Sequence, residues 1–313
     1  MNTYEVITIS EGAAGMRSQI EGLANLISDS YENYDLKLKS VFKNLPIELI
    51  PTSRFAYSNL SLLKIEKNTI LISCGKKSVK ASIYLKKKFK DLIFNIHIQD
   101  PKINHKFFDL IICPEHDNLY FDNCISTLLA IHNIKFKKNI RNKNTINFII
   151  GGPNKYFKFQ QQTQEKILNE IKFLSNEFKV NVIPSRRTPR ALIEELSKID
   201  NENVITFNDL FNPKKYGELL SEGNLQVVTW DSISMISEAI SSEAGTFLFK
   251  FEEKFCPKRY LKFFDKITEL NFAQFYNQNL KPYEISIDEY NKNLKTKILN
   301  KIQSNLRFRS NNA

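Results

Sequence analysis

Several things are scarce in this chain, and each shortage removes a class of protein. Only four cysteines, Cys74, Cys113, Cys124 and Cys256, occur in 313 residues, with no CxxC spacing. That argues against a disulfide scaffold or a zinc ribbon and for a reducing compartment. No apolar run approaches the ~18–20 residues that span a bilayer; the longest are strand-sized. The opening MNTYEVITISEG has neither a basic head nor an apolar stretch, so no signal peptide is expected. A soluble, cytoplasmic protein is expected on these grounds. Missing too are RNP, KH and zinc-finger patterns and the GxSxG elbow of serine hydrolases. No compact HxxxH-like spacing favours a metal site, and no metal is assigned.

What is present is ample for folding. The chain is 42% hydrophobic, 12% aromatic and 25% charged, which excludes a disordered chain, and its length suits about two domains. The formal net charge is +11, compatible with phosphorylated ligands, nucleic acid or an anionic membrane face. Only nine of the 45 basic residues are arginine, and Asn, Ile, Lys and Phe abound. An AT-rich coding bias produces the same composition, so charge alone assigns no nucleic-acid partner.

Short apolar runs alternate with amphipathic ones. Strands are expected at Tyr4–Ile9, Thr69–Ser73, Ile93–Ile98 and Leu110–Cys113, with helices at Met16–Ser30 and Ser78–Lys88 and a short helix within Asn118–Ile134. Lys135–Asn144 (KFKKNIRNKN) lacks periodicity and is expected as a linker or a surface loop. The rhythm then restarts. Strands are expected at Ile146–Ile150, Val180–Ile183, Val204–Phe207, Leu225–Thr229 and Thr246–Phe249. Helices are expected at Gln160–Phe178, Pro189–Ser197, Pro213–Ser221, Ser232–Ser241, Pro257–Leu270 and Glu284–Leu306. This pattern predicts an α/β fold with parallel sheets. The expected domains are residues 1–138 and 145–283, with 284–313 packing back on the first. Ligands are then expected at the carboxyl ends of strands, between the lobes.

Three stretches in the second half could handle phosphate. Thr229-Trp-Asp-Ser-Ile-Ser-Met-Ile-Ser-Glu-Ala239 runs from a strand into a helix. Asp231 or Ser232 would cap it, its first-turn N–H groups with Ser232 and Ser234 suit a diphosphate, and Glu238 suits a ribose diol. A well-capped helix with a solvated Glu fits the spacing as well. Gly151-Gly152-Pro153 permits close approach of a ligand or makes a simple tight turn; it is neither GxGxxG nor Walker A. In Ser185-Arg186-Arg187-Thr188-Pro189, Thr188 would cap a helix, and the paired guanidiniums suit phosphate or a surface salt bridge. In the first half, His97-Ile-Gln99-Asp100-Pro101 and Pro114-Glu115-His116-Asp117 close adjacent strands. They offer His116 or Asp100 as a general base, or a hydrogen-bonded structural histidine.

Taken in order, these segments resemble the mitochondrial fission family named for the elongated-mitochondria phenotype in plants, with its bacterial homologues. The resemblance spans about residues 5–275. It rests on Gly15-Met16-Arg-Ser-Gln19 with Gly22-Leu-Ala24, His97–Pro101, Phe108–Asp117, Gly151–Pro153, Ser185–Pro189 and Asp231–Ala239. It implies two Rossmann-like domains with sheets facing a central cleft, the GT-B architecture. The donor side would carry Gly151, Gly152, Ser185, Arg186, Arg187, Thr188, Asp231, Ser232, Ser234 and Glu238. The acceptor side would carry Gly15, Met16, Gln19, His97, Gln99, Glu115 and Asp117, with His116 or Asp100 catalytic. There are two departures, Trp230 before the Asp-Ser pair and Ser242-Glu-Ala-Gly-Thr246 after the helix, and the changed turn is expected to alter the shape beside the donor.

The function implied is a metal-independent glycosyltransferase. Its substrate would be a nucleoside-diphosphate sugar, with no resident cofactor, and its acceptor a glycolipid at an anionic membrane face. A non-catalytic interaction protein with a protein partner and a role in organelle or membrane division is the alternative, and a nucleotide-sugar epimerase the third. The Lys- and Asn-rich chain is similar to bacterial members.

Overall fold

A computed structural model describes residues 4–137, 139–207, 213–252 and 255–310. The chain divides into two compact units, Met1–Asn133 with Asp288–Ala313, and Ile134–Ile287. Each unit is built on one six-stranded parallel sheet flanked by helices, the α/β class that the alternating pattern predicts.

The first unit runs β1 (Glu5–Ser10), α1 (Ala14–Ile27), β2 (Glu32–Asp35), β3 (Thr69–Cys74), α2 (Lys76–Phe89), β4 (Ile93–Ile98), β5 (Leu110–Pro114) and β6 (Cys124–Thr127). The sheet order is β2-β1-β3-β4-β5-β6. β3 and β4 are buried along their whole length, as strands covered on both faces must be. Alternate residues take opposite faces. Val6, Ile70, Ile72, Phe94, Ile96 and Ile112 pack under α1. Ile7, Ile9, Leu71 and Ile93 pack on the other side with Ala81 and Leu85 of α2. Lys86, Lys87 and Lys88 occupy the last turn of α2, where they oppose the negative end of the helix dipole.

The second unit runs β7 (Asn142–Ile150), α3 (Gln161–Leu174), β8 (Lys179–Pro184), α4 (Arg190–Ser197), β9 (Val204–Thr206), α5 (Pro213–Glu222), β10 (Gly223–Thr229), α6 (Ile233–Ser241), β11 (Gly245–Phe249), α7 (Lys258–Glu269) and β12 (Gln274–Phe275). Its order is β12-β11-β10-β7-β8-β9. A buried amide ladder crosses three strands: Asn181 Nδ2 donates to Asn147 Oδ1 at 3.0 Å, and Asn147 Nδ2 donates to Gln226 Oε1 at 3.0 Å. Such satisfied polar pairs pin strand register in an otherwise apolar sheet.

The last helix, α8 (Asp288–Ser310), belongs to the first unit. Its Leu294, Ile298 and Ile302 join the α1 core, each worth roughly 1.5–3 kcal/mol when fully buried. Tyr290 Oη accepts a bond from Leu129 N at 3.0 Å.

Four elements depart from the expected pattern, one of them β12, an exposed two-residue edge strand that pairs with β11. The stretch Asn118–Ile134 contains β6 rather than a helix, because Cys124–Thr127 pairs with β5. Lys135–Asn144 is anchored rather than free: β7 starts at Asn142, Lys137 pairs with Glu218 at 2.8 Å, and Arg141 Nη2 donates to Ser242 O at 2.7 Å. Lys138 in that stretch lies outside the described residues. Edge strand β2, ENYD, is polar and was not expected; its parallel pairing to β1 alone makes it a strand.

Candidate functional site

In each sheet the strand order reverses beside the first strand. In the second unit the reversal falls between β7 and β10. The crevice outside the carboxyl ends at such a point is where open α/β sheets bind ligands. The loops after β7, β8 and β10 meet there, and they carry Gly151–Gly152, Ser185–Thr188 and Asp231–Ser232.

Asp231 organises the meeting, and its side chain is fully buried. It accepts from Gly152 N at 3.1 Å, Arg187 Nη2 at 2.9 Å and Thr229 Oγ1 at 2.7 Å. Burial raises its carboxyl above the usual range; the Arg187 charge and the hydrogen bonds pull the other way. Arg187 Nη1 also donates to Gly152 O at 2.8 Å. Thr188 Oγ1 donates to Gly151 O at 2.6 Å and Ile150 O at 2.9 Å, and accepts from Ser185 N at 2.8 Å. A Cβ on Gly151 would overlap the Asp231 carboxylate, and one on Gly152 the Arg187 carbonyl oxygen. Both glycines are therefore needed for close approach between loops, before any ligand is considered.

Two expectations change here. Thr188 does not cap α4: its hydroxyl ties the glycine loop instead, and Pro189 stands at the N-cap. Arg187 is bound to Asp231 and Gly152, so it braces the loop; Arg186 is the exposed member of the pair.

Ser232 occupies the N-cap of α6, yet makes no side-chain capping bond. Asp231 does not cap either, since its carboxylate is spent on the loops. The helices α1, α2, α3, α4 and α7 also lack side-chain caps, but their N-cap residues are Ala13, Gly75, Gln160, Pro189 and Pro257, of which none is a Ser, Thr, Asp or Asn. At α6 a residue built to cap leaves both its hydroxyl and the first-turn N–H groups to other partners. Ser234 is exposed in that first turn. Glu238 is half-buried and accepts from Tyr216 Oη of α5 at 3.1 Å; burial pushes it up to about 7.

Asn154 was not expected at the site. Its Nδ2 donates to Asp231 O at 3.0 Å, while its Oδ1 accepts from Tyr156 N at 2.8 Å and Phe157 N at 3.1 Å. An Asx residue directly after Gly-Gly-Pro was the available signal. Also unforeseen were Tyr216 and the Tyr156–Arg259–Tyr260 group, in which the Arg259 guanidinium lies 5.5 and 5.6 Å from the two ring centroids.

Neither departure shapes the start of α6. Trp230 is 2% exposed and stacks on Phe264 at 5.4 Å among Phe157 and Phe251, so it thickens the core. The Ser242–Thr246 turn follows the C-terminal end of α6 and leads into β11. It lies a nine-residue helix, about 13 Å, from the α6 N-terminus, too far to shape a site there.

The first unit reverses between β1 and β3. There Gly15 is exposed, and Met16 packs so closely that a Cβ on Gly75 would overlap its sulfur. Gln19 Oε1 accepts from Gln99 Nε2 at 3.0 Å and Cys74 Sγ at 3.3 Å. Gln99 adopts a left-handed backbone, φ 80°, a strain that tends to mark functional loops.

His97 does not reach this edge. It lies inside β4, 1% exposed, with Nδ1 2.9 Å from Ser73 Oγ, and burial lowers it to about 3. It is a neutral structural histidine. Asp100 accepts from Lys102 N at 2.8 Å and Nζ at 2.6 Å. Burial opposes its ionisation, but those Lys102 bonds win and hold it below the usual range, making it a weak base. His116 is half-buried, with Nε2 3.9 Å from Asp117 Oδ1, and Glu115 is exposed beside it. Among the described residues no three His, Cys, Asp or Glu side chains gather as metal ligands, and no helix is long and apolar enough to cross a membrane.

Comparison with known proteins adds the following. The family model described as Mitochondrial fission ELM1 matches residues 14–297. An uncharacterized protein of Rickettsia prowazekii is 24% identical, over 67% of this chain and 72% of its own. The mitochondrial fission protein ELM1 of Arabidopsis thaliana is 25% identical, over 59% of this chain; the match spans about half of that protein, 52%. In fold, the chain is similar to a Listeria monocytogenes protein assigned as a UDP-N-acetylglucosamine 2-epimerase. The TM-score is 0.54 at 10% identity, covering 97% of this chain and 88% of that one.

Proposed function

The chain belongs to the mitochondrial fission ELM1 family, and from that premise we propose that it is a GT-B-type glycosyltransferase whose second unit binds a nucleoside-diphosphate sugar. The observation that carries the proposal is the start of α6 at the strand reversal, where Ser232 stands at the N-cap without capping. A diphosphate would take the open first-turn N–H groups and the Ser232 and Ser234 hydroxyls. Glu238 would accept from ribose hydroxyls through the oxygen that Tyr216 leaves open. Exposed Arg186 would add charge.

In the transfer, an acceptor oxygen bonds to the sugar's anomeric carbon as the bond from that carbon to the phosphate oxygen breaks. The diphosphate leaves with the electron pair, and the helix start and Arg186 stabilise its charge without a metal. His116, beside Asp117, takes the acceptor's proton. Asp100 is not assigned this role, because its bonds with Lys102 lower its basicity.

The test is thermal unfolding with UDP, GDP, CMP, dTDP and ADP sugars, and NAD as a control. A ligand at a hundred times its Kd stabilises by about 2.7 kcal/mol. One stabilising nucleotide, weakened in Glu238→Gln, supports the donor site; no response from any sugar nucleotide contradicts it. A non-catalytic reading has one observation in its favour: of the two residues offered as bases, Asp100 is paired with Lys102, which weakens it as a base. Binding without release of nucleoside diphosphate in the presence of acceptors would favour it. Epimerised sugar formed without an acceptor would favour the epimerase.

A further inference from the structure

Between β2 and β3 the chain makes four short 3-10 turns, Ser40–Phe42, Ile47–Leu49, Arg54–Ala56 and Leu60–Leu62. One side of each turn is spent on folding. Leu38, Ile50, Ala56, Tyr57, Leu60 and Leu63 form a single buried cluster with β1, β3 and α2, and Ile47 packs on Val79 and Ile83. The first, third and fourth turns are also tied to one another. Leu38 bridges Tyr57, Lys39 N donates to Ala56 O at 3.0 Å, and Asn59 Oδ1 accepts from Lys37 N at 3.0 Å.

Each turn nevertheless holds one large apolar side chain out of that core. Val41 is 71% exposed, Leu49 64%, Phe55 67% and Leu62 72%. Scattered apolar residues on a surface are ordinary, but four on the turns of one short segment call for a partner. Around them Lys37, Lys39, Lys43, Arg54 and Lys64 are exposed, against only Glu48 and Glu66. The Arg54 guanidinium lies 5.1 Å from the Phe55 ring centroid.

We propose that this segment docks on an anionic lipid bilayer, with Val41, Leu49, Phe55 and Leu62 entering the interfacial layer and the lysines and Arg54 meeting lipid phosphates. The pattern suits that occupant. Isolated apolar tips, one per turn, insert shallowly, and long cationic stems keep their charges at headgroup level. A second copy of this face would set lysine against lysine. A nucleic-acid backbone would leave Val41 and Leu62 nothing apolar to bury against. The proposal does not depend on the donor site, which lies in the other unit.

The experiment is co-sedimentation of the full chain with vesicles of phosphatidylcholine alone or mixed with phosphatidylglycerol. Binding is expected only with the anionic vesicles and should fall as salt rises. Phe55→Ser with Leu62→Ser should weaken binding about tenfold or more. Lys39→Glu with Lys43→Glu should weaken it at least about fivefold for each lysine removed. Both pairs are exposed, so melting curves should match the parent; if one pair fails to fold, the other still decides. Equal binding to neutral vesicles, no binding at all, or binding unmoved by a folded pair would overturn the proposal. So would a dimer that Phe55→Ser disperses while no vesicle binding is seen, or an acidic protein that binds this face where vesicles do not. If vesicle binding fails while nucleotide binding holds, only the docking proposal falls.

Discussion

Both units are doubly wound parallel sheets, but of different strand order, 2-1-3-4-5-6 and 3-2-1-4-5-6 when counted within each unit, and their strand reversals are furnished differently. At β1/β3 the carboxyl edge carries Glu11, Asp35, Asp100, Glu115 and Asp117, the first three paired with Lys77, Arg17 and Lys102, and these pairs are partly solvated: Arg17 and Asp35 are 42% and 50% exposed. At β7/β10 one carboxylate, Asp231, is fully buried, and Lys155, Arg186, Arg187 and Lys250 surround the edge. Topology therefore supplies a crevice, and the sign and burial of a few side chains decide what it can hold. A basic edge with an open helix start suits a diphosphate. An edge of solvated, largely paired carboxylates, with His116 beside Asp117, suits a hydroxyl that must lose a proton.

The sharpest way to break this contrast is to remove one carboxylate from each edge. Asp231→Ala should cost about 2–4 kcal/mol, because it leaves a buried loop N–H unpaired and unties Arg187, whose 37% exposed guanidinium can turn to water. Asp35→Ala should cost no more than about 1 kcal/mol, because its pair is exposed. Urea unfolding followed by circular dichroism measures both; equal effects would dissolve the distinction.

Glycines give the next largest difference. Gly151→Ala must displace the Asp231 carboxylate and should cost about 1–3 kcal/mol. Gly15→Ala, with nothing within 4 Å and a helical position, should be neutral or stabilise by up to about 1 kcal/mol. The same melts measure this pair.

The units should also respond to pH in opposite directions. Glu238 is raised from 4.5 to about 7. Its contribution is therefore present below 4.5 and lost as pH rises through 7, up to about 3 kcal/mol. His97 and His132 are lowered from 6.5 to about 3 and about 4. Their contribution is present above 6.5 and lost as pH falls through those values. Trp230 is the only tryptophan and lies in the second unit. Its fluorescence reports that unit alone, whereas circular dichroism reports both. Between pH 5 and 8, Glu238→Gln should flatten the fluorescence-detected stability and leave the acid lability of the first unit in place.

The smallest effect belongs to Asp100. Lys102→Ala frees an exposed pair and should change stability by less than about 0.5 kcal/mol while raising the Asp100 pKa. An NMR titration of that carboxyl is the check.

The sheets were legible because buried parallel strands are apolar runs; Ile93–Ile98 has the bounds its pattern predicts. What escaped were edges. β2 is four polar or aromatic residues made a strand only by its neighbour, and β6 carries Cys124 and Ser126 on a partly exposed rim. At the site, phosphate-suited residue types could be read from Ser232, Ser234 and the paired arginines. Their division of labour could not. Spacing does not tell that Asp231 is spent on loops from two other strands, that Arg187 braces rather than waits for a ligand, or that His97 points into the core. Those facts depend on contacts between segments 44 and more residues apart in one case and on strand facing in the other.

The most direct test of the donor-site account is amide hydrogen exchange with and without the nucleoside diphosphate that stabilises the protein best. Slowed exchange in the first turn of α6, at Ile233, Ser234 and Met235, with no change at the starts of α1 and α2, is the result the account predicts. Protection at α1 or α2 with α6 unchanged would contradict it.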